Sequence, residues 1–125
     1  MKSWSMDISI EVIDGIHGQP AEGVAVSFVS HLDDTEIERI DQRTDHLGRV
    51  KYSGRRVGMD DGKTCTIEID AHIYFATLGI DCCQRKVVVF FRPAGPDDVY
   101  DIRSLIAPSM QSICCIRRPG AASTQ

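Results

Sequence analysis

The sequence predicts an all-β fold, a two-sheet β-sandwich of about eight short strands with one short helix. Three observations predict it. Apolar and polar residues alternate with a period of two through most of the chain. Turn signals built from Gly, Pro and Asp separate the alternating segments. Only one stretch, residues 71–78, has the spacing of a helix, and it is just about two turns long.

The first alternating segment, Met6 to Asp14, puts Ile8, Ile10 and Val12 on one face and Ser9, Glu11 and Ile13 on the other. Gly15 to Pro20 then reads as a turn, and Val24 to Val29 as a second strand. The polar segment Glu36 to Thr44 suits an edge strand, where charge discourages unwanted pairing. Asp45-His46-Leu47-Gly48 turns the chain into Arg49 to Tyr52, and the polar residues Gly54 to Lys63 are expected to form an irregular loop. Thr64 to Ile69 alternates and ends at Asp70, a good N-cap for a helix over Ala71 to Leu78 that Gly79 stops. Arg85 to Arg92 is a strongly apolar strand. Val99 to Ala107 sets Tyr100, Ile102, Ser104 and Ile106 opposite Asp101, Arg103, Leu105 and Ala107. Pro108-Ser109 leads to a last strand, Met110 to Arg117.

The chain of 125 residues reads as a single domain, 1–125, with its core over about residues 6–117 and a disordered tail over 118–125. A net charge of −4 argues against nucleic acid or an anionic membrane as partner. The longest dense apolar run, Val87 to Phe91, is strand-sized and too short to span a bilayer. The N-terminal residues lack the apolar stretch of a secretory signal. Five cysteines form two adjacent pairs, Cys82-Cys83 and Cys114-Cys115, plus Cys65. The odd count and adjacent pairing fit reduced thiols and a cytoplasmic location, and no spacing suits a metal site.

Several spaced motifs, in order, resemble the transthyretin and hydroxyisourate hydrolase family. Val12 to Ala21 is similar to its V-L-D-x-x-x-G-x-P-A opening, and Thr44 to Arg49 to its T-x-x-D-G-R turn. Asp70 to Gly79 resembles the strand-to-helix signature D-x-x-x-Y-[FW]-x-x-L-G, and Tyr100 to Pro108 the segment Y-x-[IV]-x-x-L-L-S-P. The resemblance implies a transthyretin-like (prealbumin) sandwich of two four-stranded sheets and a homotetramer. Its central channel holds a small-molecule substrate, with no cofactor. Channel residues come from the first strand and the last two. Alternation independently turns Glu11, Ile13, Asp101, Arg103 and Leu105 away from the core, and with them Ser112, Cys114 and Ile116.

The family's hydrolases use a His in the first strand, an Arg after the glycine turn, a His in the penultimate strand and a closing Y-R-G-S. Only the Arg is kept here, as Arg49. Glu11 and Asp101 stand where the two imidazoles would be, and Cys114-Cys115-Ile116-Arg117 aligns with the closing tetrapeptide. The expectation is an enzyme in which Arg49 polarises a carbonyl and Glu11 or Asp101 acts as general base. A like-charged neighbour would suit one of these two carboxylates to take up a proton. Ile13, Arg103, Leu105, Ser112 and Cys114 are expected to bind the substrate. Ring opening, cyclisation or isomerisation of a polar carbonyl or heterocyclic compound would all fit, with secondary metabolism a natural setting. Two other readings stand beside this one. One is a non-catalytic small-molecule binder; the other is an authentic hydroxyisourate hydrolase of urate breakdown. Glu11, Asp101 and Arg103 have plainer readings as salt-bridge partners. His17 and His46 read as surface residues, and Tyr74-Phe75 as packing between helix and sheet.

Overall fold

The computed structural model describes residues 3–57, 63–83, 86–91 and 98–118. In these, nine strands and one helix follow the order β1 (Ser3–Asp14), β2 (Gln19–Pro20), β3 (Ala25–Leu32), β4 (Thr35–Arg43), β5 (Arg49–Val57), β6 (Lys63–Ile69), α1 (Ala71–Thr77), β7 (Val87–Phe91), β8 (Asp98–Ile106) and β9 (Gln111–Arg118). They build two sheets. One has the order β2-β1-β8-β9, with β5 also paired to β1; the other has the order β4-β3-β6-β7.

Alternation dictates which side of each strand is buried. Met6, Ile8, Ile10 and Val12 of β1 face inward, as do Tyr100, Ile102 and Ile106 of β8. Val26 and Phe28 of β3 and Ile67 and Ile69 of β6 meet them from the second sheet. Burying each such side chain is worth roughly 1.5–3 kcal/mol relative to exposure. Phe28 and Tyr52 stack across the layers with ring centroids 4.8 Å apart. The Asp70 carboxylate accepts the Ile73 N–H and so starts α1, which buries Ala71 and Phe75 on the sandwich. A left-handed residue at Gly79 (φ 73°) ends it.

The structure corrects the sequence reading in five places. Where two four-stranded sheets were expected, the first sheet has five strands, because the short β2 pairs with the end of β1. Gln19 and Pro20 lie in the expected turn but form a two-residue strand on the end of β1. The expected loop begins too early. Gly54 to Val57 continue β5, because β1 extends back to Ser3 and pairs with every one of them. Lys63, the other end of that loop, already belongs to β6. Arg118, assigned to the tail, ends β9 in register with Val99. Residues 119–125, expected to be disordered, lie outside the described residues, as do Arg85 and Arg92 at the ends of the seventh predicted strand.

Candidate functional site

The outward face of the first sheet carries the candidate residues in three cross-strand rows. Glu11 of β1 sits in register with Arg49 of β5 on one side and Arg103 of β8 on the other. Arg103 is in turn opposite Cys114 of β9. The central row therefore reads Arg49–Glu11–Arg103–Cys114. One step along the strands lie Ser9, Asp101 and Ile116, and one step the other way Ile13, Leu105 and Ser112. Pairing of β1 parallel to β8 and antiparallel to β5 is what brings positions so far apart in sequence into one row.

An open groove of about 470 Å³ lies over this face. Glu11, Arg49, Asp101, Arg103 and Cys114 all line it, together with Ser9, Ile102 and Ile116. Ile13, Leu105 and Ser112 continue the same face but are not among the lining residues. Ser9 and Ile116 share the face by alternation alone, and nothing in their chemistry singles them out.

The turn preceding Arg49 is rigidly built. Asp45 Oδ1 accepts the N–H groups of Leu47 and Arg49, both at 2.9 Å. The Arg49 N–H above all holds the Asp45 carboxyl below its ordinary value, and the Leu47 N–H adds to this. The Thr44 hydroxyl donates to the Ala21 carbonyl at 2.6 Å and accepts the Val24 N–H at 2.9 Å. Gly48 adopts φ 74°, and a Cβ there would stand 2.5 Å from the Val12 carbonyl oxygen, so the close approach requires glycine. Arg49 leaves this turn on a fixed backbone.

Each carboxylate in the groove faces a guanidinium, not the other carboxylate. Glu11 Oε2 accepts from Arg49 Nε at 3.3 Å, and Glu11 Oε1 lies 3.5 Å from Arg103 Nε. Asp101 is held by Arg118, with Nε 2.8 Å and Nη2 3.4 Å from its two oxygens. The like-charged pair expected from sequence is thus replaced by two ion-paired sets. Arg118 is the functional candidate that sequence reasoning missed. Its signal was the alternation of the last strand, which places it with Ile116 on the outward face. Glu11 is the most sheltered of the charges, its side chain 26% exposed, whereas Arg103 is 75% exposed and held only loosely. Partial burial, then Cys114 and Asp101, push the Cys115 thiol up, so it stays protonated near neutral pH.

A second polar cluster joins residues that sequence kept apart. Asp14, fully buried at the end of β1, accepts the Tyr74 hydroxyl at 2.7 Å and lies 2.7 Å from His17 Nδ1. The Ile16 and His17 N–H groups also point at it. Burial opposes the charge on Asp14, but these hydrogen bonds outweigh it and hold the carboxyl below its ordinary value. Burial and the bond to Asp14 push the Tyr74 phenol up in turn. Tyr74 thus bonds to Asp14 besides packing between helix and sheet, and His17 lies at the surface, as expected, with Asp14 as its partner. Among the described residues no group of three or more His, Cys, Asp or Glu could hold a metal ion. No described helix is long and apolar enough to cross a membrane.

Solved structures share the fold. Transthyretin from Sparus aurata superposes with a TM-score of 0.74 at 19% identity, covering 90% of this chain and 97% of that one. The sea bream transthyretin complex with thyroxine gives 0.71 at 19% identity, over 87% and 93% of the two chains. The 5-hydroxyisourate hydrolase of Klebsiella pneumoniae gives 0.66 at 22% identity, over 87% and 97%. No curated protein matches the sequence. The family model for the HIUase/Transthyretin family matches residues 8–113, which include all of the groove's lining except Ile116 and Cys114. With two sheets and one helix among the described residues and a family match over most of its length, the chain belongs to the HIUase/Transthyretin family.

Proposed function

We propose that the chain is a cofactor-independent acid–base enzyme acting on a small polar carbonyl or heterocyclic compound in the groove over β1, β5, β8 and β9. One observation carries this reading. The row Arg49–Glu11–Arg103, with Asp101 beside it, lines a concave surface of about 470 Å³ with charge of both signs. Arg49 and Arg103 present forked donors that suit a carboxylate, an enolate or a polarised carbonyl. Glu11, between them, is placed to take a proton from water or an acidic C–H, N–H or O–H. When substrate engages the two guanidiniums, their hold on Glu11 relaxes and the carboxylate is left facing the reacting atom. The step is a ring opening, a cyclisation or an isomerisation. In the same proposal four chains assemble so that such faces line a shared channel.

A non-catalytic binder of a charged metabolite is the second reading, and the ion pairs favour it. Both carboxylates already have guanidinium partners, an arrangement that suits recognition of a zwitterion as well as proton transfer. Authentic hydroxyisourate hydrolysis is the third. One experiment orders them. Hydroxyisourate and a panel of lactones, cyclic imides and cyclic ureides are incubated with the protein, and decay or formation of their ultraviolet bands is followed against buffer. Turnover that falls by about a hundredfold in Glu11→Gln or Asp101→Asn supports catalysis. Turnover unchanged in both variants removes the mechanism. Saturable binding without turnover of any compound selects the binder.

A further inference from the structure

A second groove, of about 630 Å³, lies between α1, β2 and the turn that follows β4. It shares no residue with the site described above. Its apolar wall comes from Ile73 and Leu78, with Pro20 and the Tyr74 ring alongside. Its rim carries Arg43 and His46, opposed by one acid, Glu22.

Two features distinguish it from an ordinary dimple. First, α1 has an unusual outer face. Ala71 and Phe75 are buried against the sandwich, yet Ile73 and Leu78, the residue that caps the helix's C-terminal end, are 53% and 48% exposed, and the helix contains no Asp, Glu, Lys or Arg. An outward helix face is normally polar, so apolar side chains converging on a concavity mark a binding surface. Second, the walls are fixed before any ligand arrives. The Tyr74 hydroxyl is bonded to buried Asp14. Thr44 ties residues 21 and 24 together, the Gly23 N–H donates to the Thr44 carbonyl, and Arg43 Nη1 donates to the Gly23 carbonyl at 3.1 Å. That last bond uses one of the five guanidinium N–H donors and anchors the head group at the rim.

We propose that this groove is a second small-molecule site, for an amphipathic organic anion. The apolar body lies against Ile73, Leu78 and Pro20, and a carboxylate or similar head is held by Arg43 with His46 donating beside it. Donor geometry selects the anion: one Arg43 N–H is used on the Gly23 carbonyl, and the rest of the guanidinium fork, with the His46 imidazole beside it, suits a carboxylate.

The test uses octanoate as probe, with octylamine and octanol as charge controls, titrated into the ¹⁵N-labelled full chain. Saturable amide shifts are expected at Gly23, His46, Ile73 and Leu78, with octanoate binding at least about fivefold tighter than either control. Arg43→Glu reverses the preference between octanoate and octylamine, and Ile73→Asp weakens all three probes about tenfold. Both side chains are exposed, so both variants keep the dispersed spectrum; should Ile73→Asp unfold, the charge reversal at Arg43 still decides. Equal affinity for the three probes identifies a non-specific apolar patch and overturns the proposal. So do shifts confined to Glu11, Arg103 and Cys114, or no saturable shift at all.

Discussion

Asp14 shows how one residue turns local chemistry into stability. Its carboxylate is fully buried but accepts from Tyr74, lies beside His17 and draws in two backbone N–H groups. Its folded pKa lies below the ordinary 3.8, so its contribution is fully present above about pH 4 and is lost as pH falls through the folded value. Asp14→Asn should therefore cost about 1–3 kcal/mol at pH 7. The gap from the parent should narrow below pH 4, as measured by urea unfolding across pH; a gap independent of pH would contradict this assignment. At this scale the sequence was only partly legible. Asp14 is visible as part of an opening motif, and Glu11 and Asp101 as outward residues on alternating strands. The partners are not visible. Tyr74 reaches Asp14 from sixty positions away, and Arg118 reaches Asp101 only because β9 runs one residue further than its apolar pattern.

Among the elements, the turn between β4 and β5 has the strongest local logic. Asp45 closes it, Thr44 ties it to the core, and Gly48 allows it to pass under the Val12 carbonyl. The Val12 N–H in turn donates to the Gly48 carbonyl at 2.7 Å, so the turn and β1 are locked one residue from Glu11. Gly48→Ala meets both a left-handed φ and a 2.5 Å clash with backbone. It should cost about 2 kcal/mol or more and lower the melting temperature by roughly 8 °C, measured by calorimetry. A neutral result would mean that the turn can shift without disturbing β1. Strands with an apolar face were legible because burial enforces the period of two, as in β1 and β8. The far end of β5 was not. Ser53-Gly54-Arg55-Arg56 has a loop composition, and it is strand only because β1 offers it a backbone partner.

For the whole molecule, alternation says which residues face inward but not which strands are neighbours. The pairing of β1 with β8 is supplied by the structure and is visible in no periodicity. Four chains per particle is a proposal, and Phe90 bears on it. It lies on β7, the last strand of its sheet, with 77% of its surface exposed, beside the half-exposed Val88. A wet phenylalanine on a strand edge is a liability that assembly would remove. Sedimentation should give about four times the 13.9 kDa chain mass, and Phe90→Lys should shift the population to smaller species while leaving far-ultraviolet circular dichroism unchanged. A single-chain mass for the parent protein would remove the shared channel from the proposal.

The parallel seam between β1 and β8 has a further consequence, for how the protein is made. Met6 pairs with Asp98 and Asp14 with Ile106, so the two halves of the seam are among the most distant segments of the chain. The other sheet joins β3, β4, β6 and β7 by antiparallel pairing alone, and all four precede β8. Closing a long loop before any contact rewards it is slow, and topologies rich in such contacts fold late. During synthesis the groove-free sheet can form while β1 still lacks its parallel neighbour. The row Arg49–Glu11–Arg103–Cys114 is completed only when the last two strands arrive. The proposed chemistry at this face would therefore be reserved for chains that have finished folding, since a chain halted before β8 carries the turn and Arg49 but not the full row.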